Sequence, residues 1–133
     1  MNKYILLVDD DNDDRELFRE AISTSASELN FREAEDGAEA FRILQTAKNN
    51  LPDLIFLDLH LPDLRGDKVL RQLRRIPELS GTKIVVISAD AMDHSTDRFS
   101  TIGADFFLTK PIRVSRIIEL LDTVASKAGG LPA

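Results

Sequence analysis

The chain contains no cysteine, and this absence removes several classes of chemistry. Disulfide bonds, thiolate nucleophiles and cysteine-ligated metal sites are all excluded. Positive charge is also scarce, since 17 lysines and arginines stand against 23 aspartates and glutamates and give a net charge of −6 at pH 7. Nonspecific binding to nucleic acids or to anionic membranes requires clustered basic side chains, so the composition disfavours both kinds of partner.

Long apolar runs are absent as well. No run approaches the roughly 20 residues that a membrane-spanning helix requires. Residues 1–4 lead directly into a strand-like run and do not have the pattern of a signal peptide. We therefore expect a soluble cytoplasmic protein, and its 133 residues fit the usual size of one domain.

Short apolar runs alternate with segments of helical periodicity along the chain. Five runs predict strands, at residues 4–8, 29–34, 54–58, 84–87 and 105–109. Helices are predicted around residues 15–26, 40–47, 66–75, 91–102 and 114–125, and the fourth is weak because it is rich in poor helix formers. This alternation indicates an α/β fold with a doubly wound five-stranded parallel sheet. The polar second strand and the short fifth suit the edges, which favours the strand order 2-1-3-4-5.

Polar residues stand where the predicted strands end. Asp9 and Asp10 follow the first strand, Asp58 ends the third, Ser88 follows the fourth and Lys110 follows the fifth. In a parallel sheet these residues meet at one edge, where three carboxylates repel one another unless they bind protons or a cation. Mg²⁺ fits oxygen ligands of this kind. A lysine and a hydroxyl facing the acids would suit a phosphoryl group, which an aspartate can accept as an acyl phosphate.

Each of these residues also has an ordinary interpretation when it is taken alone. Strand-end aspartates are commonly turn formers or caps, a serine there is commonly a turn residue, and a lysine is commonly a surface charge. Residues 11–14 are interpreted as caps and first-turn acids of the first helix. Arg71, Arg74 and Arg75 are expected to form a solvated face, and Leu120 is expected to be exposed beside the buried stripe of the last helix.

Taken together, the residues resemble the response-regulator receiver domain of the stand-alone, CheY-like type. The matching segments are Val8-Asp9-Asp10, Leu57-Asp58 with Pro62 and Gly66 after it, Ile87-Ser88-Ala89 and Thr109-Lys110-Pro111. The resemblance spans residues 3–126. We therefore expect a receiver domain over residues 1–128 and no output domain, and the glycine- and proline-rich residues 129–133 are expected to form a disordered tail.

The resemblance also implies a role for each acid of the set. Asp58 would be the phosphoacceptor. Asp9, Asp10 and Asp58, together with the backbone carbonyl of His60, would hold Mg²⁺.

The remaining roles concern the phosphoryl group and the response to it. Ser88, Ala89 and Lys110 would surround the phosphoryl oxygens, and the family often has a cis peptide bond at the position of Lys110-Pro111. Ser88 and Phe107 would form the switch, whereas Phe106 is expected to be a plain core residue. His60 and Asp90 stand at positions that tune the loss of the phosphoryl group in the family, although His60 is equally well interpreted as a bystander.

The function implied by the resemblance is that of a two-component or phosphorelay module and not of an enzyme. A histidine kinase or a histidine phosphotransfer protein would donate the phosphoryl group to Asp58. The surface of the fourth helix, fifth strand and fifth helix would then change and bind a downstream protein, with neither nucleic acid nor membrane as a partner.

Three alternatives remain open at the level of the sequence. A magnesium-dependent phosphatase would also use an aspartyl phosphate, but it normally has a second acid where His60 stands. A flavodoxin-like cofactor binder requires a glycine- or hydroxyl-rich first loop instead of a run of acids. A scaffold receiver that is never phosphorylated usually lacks one of the five strand-end residues, and all five are present.

Overall fold

A computed structural model describes residues 3–25, 29–46, 50–63, 65–89 and 96–126. The strands are β1 (Lys3–Val8), β2 (Leu29–Ala34), β3 (Leu54–Asp58), β4 (Lys83–Ser88) and β5 (Phe106–Thr109). The helices are α1 (Asn12–Thr24), α2 (Gly37–Thr46), α3 (Gly66–Arg74), α4 (Thr96–Thr101) and α5 (Val114–Ser126), and a 3₁₀ helix covers Pro77–Leu79. The predicted alternation of five strands with five helices is therefore confirmed.

The five strands form one parallel sheet in the order β2-β1-β3-β4-β5, as the sequence predicted. The register sets Val8 beside Leu57 and Asp58 beside Ile87. The last residues of the central strands are therefore nearly level, and the residues that follow these strands meet at one edge of the sheet. We call this edge the carboxyl edge, and the opposite edge the amino edge.

Apolar side chains cover both faces of the sheet, because successive residues of a strand point to opposite sides. In β1, Leu6 and Val8 join a cluster that contains residues of α2, α3 and α4. Ile5 and Leu7 join the second cluster, which contains residues of α1 and α5. These two apolar layers hold the strand ends in fixed positions.

The first helix begins earlier than the periodicity predicted. Asp11 is its N-cap, and the side-chain carboxylate accepts hydrogen bonds from the backbone N–H groups of Asp13 at 2.9 Å and Asp14 at 3.3 Å. The helix therefore starts at Asn12 instead of residue 15, because a capped polar turn precedes the first apolar residue.

Arg74 does not belong to a solvated face, so that expectation was wrong. Its guanidinium donates hydrogen bonds to the carbonyl oxygens of Leu79, Thr82 and Gly103 and pairs with Asp105 at 2.7 Å. Arg74 thus joins the end of the 3₁₀ helix, the residue before β4 and the loop between α4 and β5. Arg71 of the same helix and Arg75, the C-cap residue, are exposed, as expected.

The expectation for Leu120 was also wrong, since this side chain is buried. It belongs to the same apolar cluster as Phe18 and Ala21 of α1. Because α5 packs against α1 as well as against the sheet, its buried stripe is wider than a helix facing the sheet alone would have. The predicted tail at residues 129–133 lies outside the described residues.

Candidate functional site

The site begins with Asp9, which follows β1 and is completely buried. Its backbone N–H donates to the carbonyl oxygen of Ala34 at 3.0 Å, and its own carbonyl accepts from the Arg15 guanidinium at 3.0 Å. The carboxylate Oδ1 accepts from the backbone N–H of Asp11 at 2.9 Å. Main-chain and side-chain contacts therefore fix both the position and the direction of this acid.

Asp58 is the last residue of β3 and is 1% exposed. Its Oδ1 accepts a hydrogen bond from the backbone N–H of His60 at 2.8 Å, and its Oδ2 accepts from Lys110 Nζ at 3.0 Å. A carboxylate at this depth requires compensation, since burial disfavours the charged form. The turn amide and the lysine provide that compensation.

Gly66 allows α3 to begin directly against the backbone that carries Asp58. Its N–H donates to the carbonyl oxygen of Leu59 at 3.0 Å. A Cβ at this position would collide with the Cα of Leu59 and would lie 2.9 Å from the carbonyl oxygen of Asp58. Only glycine fits this approach of two backbones, so residue 66 fixes the shape of the turn after Asp58.

Lys110 enters the site from the end of β5. Its backbone N–H donates to the carbonyl oxygen of Ser88 at 2.9 Å, and its peptide bond with Pro111 is cis. The ammonium lies 3.0 Å from Asp58 Oδ2 and 2.7 Å from Asp14 Oδ2. Burial lowers the pKa of Lys110, but the close contacts of its ammonium with Asp14 and Asp58 outweigh burial, so the pKa is raised and the amine is held as a cation.

Asp14 is the residue of this site that the sequence interpretation missed. Residues 11–14 were interpreted as caps and first-turn acids of α1, and Asp11 is indeed the N-cap and Asp14 a first-turn acid, but the contact of Asp14 with Lys110 was not predicted. The available signal was the length of the run, because it holds more carboxylates than one helix end can use.

Three acids of the carboxyl edge lie close enough together to share a cation. One carboxylate oxygen from each of Asp9, Asp10 and Asp58 lies within 4.8 Å of the others. Burial, reinforced by repulsion from Asp58 and Asp14, raises the pKa of Asp9 to about 7, against the opposing effects of the Asp11 amide and Lys110. Within the described part of the chain, Asp9 Oδ2 is buried without a hydrogen-bond partner.

An unpartnered buried oxygen and a raised acid pKa both indicate a place for positive charge. The ligand set consists of carboxylate oxygens, with the third acid, Asp10, exposed at the mouth of the site. Hard divalent cations such as Mg²⁺ and Mn²⁺ prefer such oxygens and retain water at the remaining positions. The residues present therefore fit a divalent cation.

Three further residues of the predicted set lie at or behind this edge. Ser88 is the last residue of β4 and is buried, and the next residue, Ala89, is exposed. Phe107 lies in β5, the outermost strand on one side of the sheet, where it is half-buried and packs against the apolar cluster that contains residues of α2, α3 and α4. Ser88 and Ala89 thus line the carboxyl edge, while Phe107 lies deeper along the neighbouring strand.

The two positions assigned to tuning differ in what the structure describes. His60 is exposed, and its backbone N–H contacts Asp58. The proposed metal contact of its carbonyl oxygen stays a prediction. Asp90 lies outside the described residues.

A comparison with protein families decides what this arrangement belongs to. The model of the response regulator receiver domain matches residues 5–122. The chain belongs to the response regulator receiver domain family. This family assignment confirms the resemblance that the strand-end residues indicated, and it identifies the chain as a signalling module.

Curated and solved relatives agree with the assignment. The polar-differentiation response regulator DivK of Brucella ovis is 31% identical over 128 residues, which cover 96% of this receiver domain chain and 100% of DivK. The Mn²⁺-bound form of response regulator Rcp1 has a TM-score of 0.83 at 27% identity, with 98% of this chain and 99% of that chain covered.

A second solved structure is the phosphorylated cyanobacterial phytochrome response regulator RcpA, with a TM-score of 0.82, 27% identity and full coverage of both chains. These relatives confirm the CheY-like receiver fold. In the described part of this receiver domain, no helix is long and apolar enough to cross a membrane.

Proposed function

We propose that this receiver domain accepts a phosphoryl group on Asp58 from a phosphohistidine of a histidine kinase or a histidine phosphotransfer protein. One observation carries the proposal. Asp58 is a buried carboxylate that contacts a lysine ammonium on one oxygen and lies beside two further acids able to hold a cation. Phosphoryl transfer depends mainly on such positioning and charge compensation.

In the transfer step, the Asp58 carboxylate attacks phosphorus and a new P–O bond forms. The P–N bond to the donor histidine breaks, and the imidazole leaves with the electron pair of that bond. The His60 amide keeps Asp58 Oδ1 in place at 2.8 Å during this exchange. The product is an acyl phosphate on Asp58.

Asp9, Asp10 and Asp58, with the backbone carbonyl of His60, would hold Mg²⁺ in this site. When bound, Mg²⁺ neutralises negative charge on the transferred group. The fit rests on the carboxylate oxygens gathered within 4.8 Å and on the buried, unpartnered oxygen of Asp9. The Mn²⁺-bound form of the similar response regulator Rcp1 supports a divalent cation in this family.

The other side of the site would receive the phosphoryl oxygens. Lys110 supplies a permanent positive charge, since its pKa is raised. Ser88 supplies a hydroxyl at the end of β4, and the small, exposed Ala89 leaves room for the donor. Together they would stabilise the negative charge that develops on the equatorial oxygens.

The output would be a change of the surface formed by α4, β5 and α5, which would bind a downstream protein in the cytoplasm. Ser88 would move toward the phosphoryl group, and Phe107 would pack into the space it leaves. Phe107 is half-buried and has no hydroxyl, so this switch would rest on packing alone. A cleft of about 320 Å³ next to Phe107, between the end of β5 and the start of α5, provides room for rearrangement. A partner that binds one of the two states better is required for signalling.

His60 and Asp90 would set how fast the phosphoryl group is lost. His60 is exposed at the mouth of the site, two residues after the acceptor. Substitution of either side chain would therefore change the lifetime of the acyl phosphate and leave the acceptor in place.

The central experiment is phosphorylation by phosphoramidate with and without Mg²⁺, read by mass spectrometry of the intact protein and of its peptides. We expect one added phosphoryl group that maps to Asp58, with strong dependence on Mg²⁺. The Asp58→Asn variant should gain none. Asp53→Asn is the matched control, because Asp53 precedes the same strand and its carboxylate accepts from the Tyr4 amide at 2.9 Å, at the amino edge.

Two results would contradict the proposal. Phosphorylation of Asp58→Asn to the extent of the wild type would exclude Asp58 as the acceptor. Steady turnover of a phosphoester substrate would favour a phosphatase instead of a signalling module.

A further inference from the structure

Lys110 is shared between two carboxylates, although the proposed function needs only one of them. Its Nζ lies 2.7 Å from Asp14 Oδ2 and 3.0 Å from Asp58 Oδ2. The side chains are shielded from water, with 22% of Lys110, 15% of Asp14 and 1% of Asp58 exposed. The shorter of the two contacts is the one with Asp14.

Helix α1 does not depend on Asp14 for its capping or for its first-turn charge. Its N-terminus is capped by Asp11, and the dipole of the first turn is complemented equally by Asp13, which is exposed. Asp14 therefore faces the site in addition to what helix formation requires. Its effect should be sought in the behaviour of Lys110.

The geometry makes Asp14 a competitor for the ammonium. The two carboxylate oxygens contact the same nitrogen at 2.7 Å and 3.0 Å, so the distance between the oxygens cannot exceed the sum of these two distances. A phosphoryl group on Asp58 brings additional negative charge into this space and requires Lys110 as its counter-ion. The carboxylate of Asp14 then repels the phosphoryl group and retains part of the ammonium.

We propose that Asp14 is a positioning residue that restrains Lys110 in the unphosphorylated receiver domain and weakens the hold of the site on a phosphoryl group. This inference rests on the proposed function, because it concerns a phosphoryl group at Asp58. Asp14 acts through Lys110 and is not itself an acceptor. It makes the phosphorylated state of this chain easier to reverse.

The test is the affinity for beryllofluoride, a non-covalent mimic of the phosphoryl group, measured by calorimetry at saturating Mg²⁺ for each variant. We expect Asp14→Asn to bind roughly tenfold more tightly than the wild type, since a shielded charge a few ångströms away is removed. Asp14→Glu keeps the charge and should retain the affinity of the wild type. Asp13→Asn is the matched control, because it removes the same charge from the same helix turn at an exposed position.

A second readout is the steady level of phosphorylated Asp58 in phosphoramidate, which should rise in Asp14→Asn and stay unchanged in the two other variants. Equal or weaker beryllofluoride affinity in Asp14→Asn would overturn the proposal. An equal gain in Asp13→Asn would overturn it too, because the effect would then be one of net charge.

The two proposals fail in different ways. Wild-type protein that is phosphorylated on Asp58 while Asp14→Asn behaves like the wild type would overturn the role of Asp14 alone. Wild-type protein that neither binds beryllofluoride nor gains a phosphoryl group would overturn the proposed function, and the role of Asp14 with it. Circular dichroism of each variant establishes that the fold is intact in both cases.

Discussion

The two edges of the sheet differ in how several of their buried polar groups are paired. At the amino edge, opposite groups meet: the Asp53 carboxylate accepts from the Tyr4 amide, and the Thr82 hydroxyl donates to the carbonyl oxygen of Pro52 at 2.7 Å. At the carboxyl edge, like groups meet, because Asp9 and Asp58 are both buried and lie beside each other. The contacts at the amino edge stabilise the fold. The like charges at the carboxyl edge reduce its stability, and they suit the binding of a charged ligand.

The comparison is sharpest in two charged residues. Arg74 joins its neighbours through four hydrogen bonds, while Asp9 retains a buried oxygen without a partner in the described part of the chain. Substitution near the amino edge should therefore reduce stability, and substitution at the carboxyl edge should change ligand binding, with stability lowered only where a residue holds the backbone.

Of the substitutions, Gly66→Ala should have the largest effect on stability, because the added Cβ collides with backbone and not with a movable side chain. We expect a loss on the order of 3 kcal/mol in the free energy of unfolding, together with reduced phosphorylation of Asp58. Urea denaturation and the phosphoramidate assay measure the two effects. Gly81→Ala is the matched control, since a Cβ there meets no atom within 4 Å, and a similar loss in that variant would contradict the explanation.

Arg74→Met should reduce stability by roughly 2 kcal/mol or more, because it removes four hydrogen bonds, three of them to carbonyl oxygens and one to the Asp105 carboxylate. Thermal unfolding measures the loss. Arg71→Met on the exposed face of the same helix should change little. The folded fraction of Arg74→Met should still be phosphorylated normally, and a selective loss of phosphorylation would break the division between the two edges.

A third expected effect on stability is a pH dependence of the metal-free protein. Asp9 has its pKa raised from 3.8 to about 7, mainly by burial, so the folded state holds this proton more tightly than the unfolded chain does. The contribution of Asp9 is therefore most favourable below about pH 4 and is lost as the pH rises to 7 and above, by about 1.4 kcal/mol at most for each unit of the shift.

Denaturation of the metal-free protein between pH 5 and pH 8 tests this sign. Asp9→Asn should flatten the dependence, and Mg²⁺ should restore stability at pH 8 in the wild type only. A wild-type protein whose metal-free stability varies between pH 5 and pH 8 in the same way as that of Asp9→Asn would contradict the raised pKa.

Much of the site was predictable because a parallel sheet brings strand ends together. Asp9, Asp58 and Lys110 are far apart in the sequence, yet each follows an apolar run, and the topology alone places them at one edge. The strand order followed from the polar character of β2 and the shortness of β5. The pattern of apolar and polar residues therefore carried both the fold and the meeting point of the acids.

The residues that escaped prediction depend on contacts between elements. Asp14 already had a sufficient local explanation as a first-turn acid, and its contact with Lys110 crosses most of the chain. Arg74 finds its partners in loops that periodicity does not position, and Leu120 is buried by a neighbouring helix instead of the sheet. Arg74 and Leu120 are neither more apolar nor more polar than their local patterns allow, so the sequence holds no local signal for their contacts. For Asp14 the signal was the length of the acidic run.

The hydrogen bond from position 60 to Asp58 is made by the main chain. Every amino acid except proline carries the required N–H, so the imidazole can be exchanged for an acid, an amide or an aliphatic group while the acceptor keeps its orientation. Under the proposed function, a single codon change at this position would alter the lifetime of the signal without rebuilding the machinery that receives it.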